Sequence, residues 1–238
     1  MIEPREESRF DPIYNGKAEQ YHELVTREDV DGNLPAALWE IADFQGKTVV
    51  ELGAGTGRVT GIVAARAARV LAYDRSLHML DRARSALAAE LGRNVSLALA
   101  DNRAIPLSPA TADIVIEGWS FGYTVNRAPE GWRAAAEALV AETVRLLKPG
   151  GTALIIETLG TGHRSPASLG GSLGSFYHWL ERENGYSHRW IRTDYLFETE
   201  RKARELVEFF FGSMVEHDIL ASGQVRVPEC TGLWWKKG

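Results

Sequence analysis

The segment from Val49 to Arg58, VVELGAGTGR, contains the residue types best suited to chemistry at a binding site. A short apolar run leads directly into three glycines, Gly53, Gly55 and Gly57, separated only by small residues. Glycine allows positive φ angles and lets a ligand approach the backbone closely. A helix that starts after such a turn presents unpaired N–H groups at its positive dipole end. The segment therefore predicts a ligand site at a strand–turn–helix junction.

The spacing of these glycines distinguishes between kinds of ligand. A dinucleotide fingerprint, G-x-G-x-x-G, would need a third glycine at the position that Arg58 occupies. The pattern is instead E-x-G-x-G-x-G, from Glu51 through Gly57. An ordinary strand–helix turn can also be rich in glycine. The motifs further along the chain therefore have to show whether the glycine turn is a ligand site.

Strands and helices alternate on both sides of the glycine turn. Apolar runs predict further strands that end near Asp74, Ala100, Glu117 and Glu157, and the helix before the last of these strands stops at LKPGG. Repeated strand–helix units predict a parallel sheet with right-handed crossovers. The Gly- and Ser-rich stretch from Leu159 to Ser175 lacks apolar periodicity, so we expect a long loop there.

In this order and spacing, the motifs resemble class I S-adenosylmethionine-dependent methyltransferases of the small-molecule type, over roughly Thr48 to Glu157. The resemblance implies an α/β fold, a three-layer Rossmann-like sandwich. Its sheet would be mostly parallel and seven-stranded, with an antiparallel C-terminal edge strand. The single domain would comprise an N-terminal helical cover (1–44), a cofactor-binding core (45–158), a lid or insertion (159–190) and a C-terminal strand–helix–strand unit (191–238).

The resemblance also implies which residues bind S-adenosyl-L-methionine. Asp74, after the second strand, would accept hydrogen bonds from the ribose hydroxyls, and Asp101 with Asn102 would contact the adenine. Glu51 would orient the methionine amino group. The full set implied is Glu51, Gly53, Ala54, Gly55, Gly57, Asp74, Arg75, Asp101, Asn102 and Glu117. Asp74 could instead cap a helix, and the Asp-Asn pair could be an ordinary turn.

The acceptor pocket is expected just after the fourth strand, where this fold brings the transferred methyl group. Aromatic and polar side chains there suit a small, partly apolar molecule, and their ring faces would also suit a cationic amine. We predict the pocket residues Trp119, Ser120, Phe121 and Tyr123, with Tyr14 from the N-terminal segment. Trp119 and Phe121 could alternatively anchor the loop in the core.

Methyl transfer from a sulfonium depends mainly on holding the reactants in line, so a general base is needed only for some acceptors. His163, after the fifth strand, and His22, in the N-terminal cover, are the candidate bases. Tyr21 could orient the acceptor. Asp113 and Glu117 do not form a convincing cage of ligands, so we predict no metal.

Composition limits the other classes of function. The chain has 238 residues, 45% of them hydrophobic, and a net charge of −5. This charge argues against a nucleic-acid partner. The sequence has no apolar run long enough to cross a membrane and a single cysteine, Cys230, so we expect a cytoplasmic protein. The Asn/Asp-Pro-Pro-Tyr/Phe motif of DNA amino-methyltransferases and the Pro-Cys nucleophile of cytosine C5 enzymes are both missing. A small-molecule acceptor is therefore expected, whereas its identity and the oligomeric state stay open.

Two other functions remain compatible with the sequence. An aminopropyltransferase has a similar fold and uses the decarboxylated cofactor, but it should carry an acidic groove for a polyamine, and the sequence shows no clear one. A non-catalytic module that only binds the cofactor is the second alternative. Cofactor binding followed by a methyl-transfer screen would separate these possibilities.

Overall fold

The computed structural model describes residues 10–238, so the first nine residues of the predicted N-terminal cover lie outside the described residues. The strands are β1 (Thr48–Leu52), β2 (Arg69–Asp74), β3 (Val95–Leu99), β4 (Ala112–Gly118), β5 (Leu147–Thr161), β6 (Ser187–Arg192), β7 (Tyr195–Phe197), β8 (Asp218–Ile219), β9 (Val225–Val227) and β10 (Glu229–Lys237). The helices are α1 (Asp11–Gly16), α2 (Ala18–Val25), α3 (Asn33–Ile41), α4 (Arg58–Ala64), α5 (Leu77–Ala86), α6 (Phe121–Asn126), α7 (Trp132–Leu146), α8 (Gly171–Arg182) and α9 (Glu200–Phe211).

Seven strands form the central sheet in the order β3-β2-β1-β4-β5-β10-β6. The pairs from β3 to β5 are parallel, and β10 is antiparallel to both of its neighbours, β5 and β6. This arrangement confirms the predicted three-layer α/β fold with its mostly parallel seven-stranded sheet. The antiparallel C-terminal strand lies one position in from the edge, because β6 pairs with its outer side.

The alternation of side chains along the central strands supplies a hydrophobic core on each face of the sheet. On β1, Val50 and Leu52 belong to one buried cluster, whereas Val49 belongs to the other. Ile114 and Val115 of β4 divide in the same way. Successive residues of a strand point to opposite faces, so an uninterrupted apolar run fits a strand covered by helices on both sides. This packing holds the carboxyl ends of β1, β2, β4 and β5 at one edge.

The segment after the fifth strand differs from its prediction. β5 continues to Thr161 and α8 begins at Gly171, so only residues 162–170 of the expected loop from Leu159 to Ser175 are irregular. The predicted core boundary at 158 therefore falls inside a strand. Pairing with β10 explains the extension, because Glu229 of β10 faces Thr161 in the ladder.

The C-terminal part is also more elaborate than a strand–helix–strand unit. β7, β9 and β8 form a second, three-stranded sheet on which α9 packs. Leu24 of α2 belongs to the same buried cluster, so the N-terminal and C-terminal segments support each other. Together α1, α2 and α9 cover the edge at which the glycine turn lies. Within residues 10–238, no helix is long and apolar enough to cross a membrane.

Candidate functional site

The three glycines of the turn all have positive φ angles, at 79° for Gly53, 54° for Gly55 and 90° for Gly57. Their surroundings differ. A β-carbon on Gly53 would collide with Ser120, and one on Gly57 would come within 2.7 Å of Leu87 Cδ1. A β-carbon on Gly55 would meet only Tyr21 Cε1, at 4.0 Å, so the backbone of Gly55 borders open space. Packing against Leu87 thus accounts for the glycine at position 57, which lines none of the cavities described here, and its contact with the cofactor stays a prediction.

Asp74 ties the glycine turn to the end of β2. Its carboxylate accepts hydrogen bonds from the N–H groups of Gly55, at 2.8 Å, and Ser76, at 2.7 Å. Burial raises the pKa of Asp74, and these backbone donors partly counter the rise. Each carboxylate oxygen has two lone pairs, so both oxygens can still accept a further hydrogen bond. Asp74 therefore orders the turn and keeps acceptor capacity for a ligand.

A narrow cavity of about 80 Å³, here called the glycine-loop cavity, lies between this turn and the N-terminal helices. It brings together residues that are far apart in the sequence. Of the predicted site residues it is lined by Tyr14, Tyr21, Gly53, Gly55, Asp74, Arg75, Asn102, Trp119, Ser120 and Tyr123. A carboxylate, an amide and open glycine backbone suit the hydroxyls, the base edge and the close approach of an adenosyl group, so these residues fit the expected cofactor.

Sequence reasoning missed several residues of the glycine-loop cavity, notably Asn15, Ser76, Met79 and Thr124. The sequence contained enough information to predict two of them, Ser76 and Met79. Ser76 caps α5 by accepting the N–H of Met79, at 3.3 Å, and both follow Asp74 closely in the chain. Because the first turn of a helix after a parallel strand lies next to the end of that strand, these two residues could have been predicted along with Asp74.

The structure corrects the prediction for Asp101. Its carboxylate turns towards Arg103, with Oδ2 2.6 Å from Nη2, and Asp101 does not line the glycine-loop cavity. The hydrogen bonds to Arg103 lower the pKa of Asp101 to about 2. Only its neighbour Asn102 faces the cavity, where its amide donates to Ser120 Oγ at 3.2 Å.

Glu51 and Ala54 line another small cavity, which also borders the glycine turn, together with Thr56 and Arg58. Thr60 Oγ1 donates a hydrogen bond to Glu51 Oε2 at 2.5 Å. Burial raises the pKa of Glu51 to about 7. Glu51 thus lies beside the turn but does not line the glycine-loop cavity, and its role towards the methionine amino group stays a prediction.

Glu117 has a role other than the predicted cofactor contact. One of its oxygens, Oε2, accepts the N–H of Ser120 at 3.1 Å, its hydroxyl at 3.0 Å, and the N–H of Phe121 at 3.2 Å. Glu117 is 1% exposed and lines none of the cavities described here. Burial raises the pKa of Glu117 to about 8. The side chain therefore fixes the turn after β4 and reaches the site only through Ser120.

A second cavity of about 1100 Å³, here called the aromatic cavity, adjoins the first and shares Tyr14, Tyr21, Trp119 and Tyr123 with it. Its other aromatic walls come from elements distant in sequence, namely Phe10, Tyr195, Phe210 and Phe211. The Tyr14 ring packs edge-on against the Tyr21 and Tyr123 rings, at centroid distances of 5.6 and 5.3 Å. The N-terminal helix α1 therefore roofs both cavities.

The predicted acceptor residues separate into three groups. Tyr14, Trp119 and Tyr123 line the aromatic cavity, and Ser120 lines only the glycine-loop cavity. Phe121 lines neither, because its ring is wholly buried in the core beneath α6. The prediction that Phe121 walls the pocket is thus corrected in favour of the alternative, an anchor for the segment.

The three candidate catalytic residues have different positions. Tyr21 lies where the two cavities meet, and burial raises its pKa to about 12, so its hydroxyl stays protonated and can donate. His163 is exposed and lines the aromatic cavity. His22 lines neither cavity, and its pKa is lowered by burial and by Arg82, so the structure does not support it as a base at the site.

Three buried carboxylates in the wall of the aromatic cavity had no sequence signal strong enough to predict them together. They are Glu28, Glu157 and Glu229, accompanied by Arg58. Arg58 forms an ion pair with Glu28, which also accepts hydrogen bonds from Tyr195, at 2.9 Å, and Thr193, at 3.1 Å. Only Glu157 had a signal in the sequence, because it stands where the fifth strand was predicted to end. Within the described part of the chain, no cluster of His, Cys, Asp and Glu side chains could hold a metal ion.

Comparison with known proteins places this geometry in context. Residues 49–151 match a family model described as a methyltransferase domain. The chain is 30% identical to phosphoethanolamine N-methyltransferase 1 of Triticum aestivum over 52% of this chain and 24% of the wheat protein. It is 25% identical to demethylmenaquinone methyltransferase of Lactococcus lactis over 64% of this chain and 59% of that protein. The chain therefore spans less than two thirds of the length of these relatives.

Solved structures show the same fold at low sequence identity. One is a SAM-dependent methyltransferase from Aquifex aeolicus, with a TM-score of 0.52 and 14% identity over 94% of this chain and 91% of that chain. Together these matches confirm the predicted fold and S-adenosyl-L-methionine as the predicted cofactor.

Proposed function

We propose that the protein transfers a methyl group from S-adenosyl-L-methionine to a small-molecule acceptor in the aromatic cavity, because residues 49–151 match a methyltransferase domain. The observation that carries this proposal is the contact between the two cavities. Tyr14, Tyr21, Trp119 and Tyr123 line both, so a cofactor beside the glycine turn and an acceptor in the larger space would meet at these rings.

The residues of the glycine-loop cavity would hold the adenosyl part of the cofactor. Asp74 would accept the ribose hydroxyl protons, Asn102 would contact the adenine edge, and Gly55 would let the ligand approach the backbone. The bound cofactor supplies a methyl group on a positively charged sulfur, which an in-line nucleophile can displace. The chain itself would align the acceptor with its aromatic walls and keep water away, so catalysis would rest mainly on positioning.

Relatives support a small-molecule acceptor. The names of the wheat and Lactococcus proteins refer to phosphoethanolamine and demethylmenaquinone, two small molecules of very different polarity. The net charge of −5 and the carboxylates of the aromatic cavity argue against nucleic acid as the acceptor. We also propose that the protein works in the cytoplasm, in keeping with its single cysteine.

Aminopropyl transfer is the second candidate, and a specific observation now favours it more than the sequence did. Three carboxylates, Glu28, Glu157 and Glu229, line the aromatic cavity, although Glu28 is paired with Arg58. This acidic lining, which the sequence did not reveal, is the feature that a polyamine site would need. The match to a methyltransferase domain still makes methyl transfer the first choice.

The test is a transfer assay on the purified chain. It is incubated with S-adenosyl-L-methionine or, separately, with the decarboxylated cofactor, together with a panel of amines, phenols and quinols. Mass spectrometry then detects S-adenosylhomocysteine or methylthioadenosine. We expect S-adenosylhomocysteine and an acceptor heavier by one methyl group. Formation of methylthioadenosine would favour the second candidate, and cofactor binding without either product would identify a binding module.

A further inference from the structure

The charge of the aromatic cavity is not balanced by the chain. Arg58 is paired with Glu28, and Arg127 is paired with Asp11. Glu157 and Glu229 form no ion pair with any of the described residues, although both side chains are almost fully buried. Isolated buried carboxylates are costly unless they are protonated or matched by a cation. The cavity therefore holds two buried acids, and a cation supplied by a ligand would stabilise their ionised form.

Glu229 provides independent evidence for a missing partner. Its Oε1 accepts a hydrogen bond from Thr158 Oγ1 at 2.7 Å, and the Thr161 side chain is a second polar neighbour of the carboxyl group. Oε2 nevertheless has no hydrogen-bond partner of normal geometry among the described residues. The side chain is 2% exposed and belongs to the cavity lining. Burial and the charge of Glu28 raise the pKa of Glu229 to about 8. Buried polar atoms are normally satisfied, so an open Oε2 in a cavity wall indicates a place for a donor from a ligand.

The remaining walls suit the same kind of ligand. Tyr14, Tyr21, Trp119 and Tyr123 present aromatic rings to the cavity, and ring faces attract cations, most strongly when water is excluded. An acceptor with a carboxylate or phosphate would instead meet Glu157 and Glu229, while the two arginines of the lining, Arg58 and Arg127, are already engaged in ion pairs. The acidic side chains and aromatic rings of this cavity together favour a positively charged, partly apolar ligand.

We propose that the methyl acceptor is a small cationic amine with an apolar or aromatic body, whose ammonium group donates to Glu229 Oε2 while its body lies against the aromatic walls. The inference rests on the proposed function, because the amine is a methyl acceptor only if the protein transfers methyl groups. Binding of the amine can nevertheless be measured without any transfer. Before it can attack a methyl group, the amine must lose a proton. A carboxylate of this cavity can take it: an N–H bond breaks, the electron pair stays on nitrogen, and an O–H bond forms.

Three matched probes test the charge preference by isothermal titration calorimetry on the full chain without cofactor. They are 2-phenylethylamine, 2-phenylethanol and 3-phenylpropionate, which share a phenylethyl body and are cationic, neutral and anionic. We expect the amine to bind at least about tenfold more tightly than the alcohol, and the carboxylate to bind most weakly. Equal affinity for the amine and the alcohol, or no binding of the amine at millimolar concentration, would overturn the proposal.

Variants then locate the ammonium group. Glu229→Gln should weaken the amine at least about tenfold and leave the alcohol within about twofold, because only the charge interaction is removed. Glu142→Gln is the matched control, since Glu142 is also a buried carboxylate but pairs with Arg145 outside the cavity. Unchanged amine affinity in a folded Glu229→Gln variant would refute the assignment. Should that variant not fold, the probe comparison on the unmodified chain still decides the charge class.

The outcome is separable from that of the proposed function. If the amine binds but no methyl transfer occurs with any amine tested, the proposed function fails and the ligand class stands. If methyl transfer occurs only with neutral or anionic acceptors, the proposed function stands and this inference is wrong.

Discussion

The guanidinium of Arg58 stacks on the indole of Trp119, with Cζ 3.8 Å from the ring centroid. Arg58 is the first residue of α4 and Trp119 follows β4, so the contact joins the glycine turn to the segment that borders both cavities. The same guanidinium pairs with Glu28 from the N-terminal cover. Arg58 also occupies the position at which a dinucleotide fingerprint would require glycine. The same residue therefore rules out that fingerprint and links the glycine turn to Trp119 and Glu28.

We expect Arg58→Met to lower the free energy of unfolding by about 3–5 kcal/mol, because it leaves the buried Glu28 without its cation. The double variant Arg58→Met/Glu28→Gln should recover at least about 1 kcal/mol of this loss. Urea denaturation measures both. Arg84→Met is the control, since its partner Asp81 is exposed and the change should be under about 1 kcal/mol. A double variant no more stable than the single one would contradict the assigned pairing.

Gly55→Ala should reduce affinity for S-adenosylhomocysteine at least about tenfold, because the new methyl group would enter the space beside the turn that we assign to the ligand. Gly46→Ala is matched in strain, with φ at 70° and open surroundings, and it lies outside the cavity lining. Both variants should lose about 1–2 kcal/mol of stability. Calorimetry that finds the same affinity in both would show that Gly55 does not face the cofactor.

Asp74→Asn should weaken S-adenosylhomocysteine binding by about 1.5–3 kcal/mol, the usual worth of hydrogen bonds to a charged group. The amide nitrogen cannot accept, so the variant loses either a ribose contact or the hydrogen bond from Gly55 or Ser76. Glu90→Gln, away from both cavities, serves as the reference. An affinity equal to that of the reference variant would remove Asp74 from the site.

The pH dependence of stability should report on Glu117. Its pKa in the folded chain is about 8 against an ordinary value of 4.5, so the protonated form is favoured by folding. The resulting stabilisation is complete below pH 4.5 and is lost as the pH rises through 8. When the pH is raised from 5 to 8.5, the free energy of unfolding of the Glu117→Gln variant should therefore fall by about 1–4 kcal/mol less than that of the unmodified chain. Identical pH profiles from denaturant titrations would show that Glu117 is ionised in the folded protein.

Residues 162–170 should act as a border of the active site that becomes ordered on binding. His163, Ala167 and Leu169 of this stretch line the aromatic cavity. Backbone hydrogen exchange here should slow at least about threefold with both cofactor and acceptor bound, because local opening would require release of the ligand. The turn at residues 220–224 serves as an internal reference. Equal exchange with and without ligands would identify the stretch as a passive linker.

The architecture around the glycine turn and the position of Asp74 could be predicted from the sequence. These features are local: an apolar run, a glycine cluster and a carboxylate directly after the next strand lie within a few residues of their structural causes. Parallel strands carry their carboxyl ends to the same edge, so motifs in the right order predict a shared site without any knowledge of packing.

Which neighbouring side chains face the two cavities depends on packing that the sequence does not show. Phe121 and Tyr123 are both aromatic and both lie on α6, yet Phe121 enters the core and Tyr123 lines the two cavities. Residues two positions apart on a helix point in different directions, and either ring could fill either environment. The choice was made by the direction in which α6 packs on the sheet, which the spacing of the aromatics does not encode.

The acidic character of the aromatic cavity was likewise a product of the fold. Glu28 precedes α3, Glu157 lies on β5 and Glu229 begins β10, so the three carboxylates are separated by most of the chain. In the sequence Glu28 and Glu229 resemble ordinary solvated acids. Their meeting depends on the insertion of β10 beside β5 and on the N-terminal cover closing over that edge. Long-range packing of this kind converts scattered charges into a site, and no local pattern in the chain specifies it.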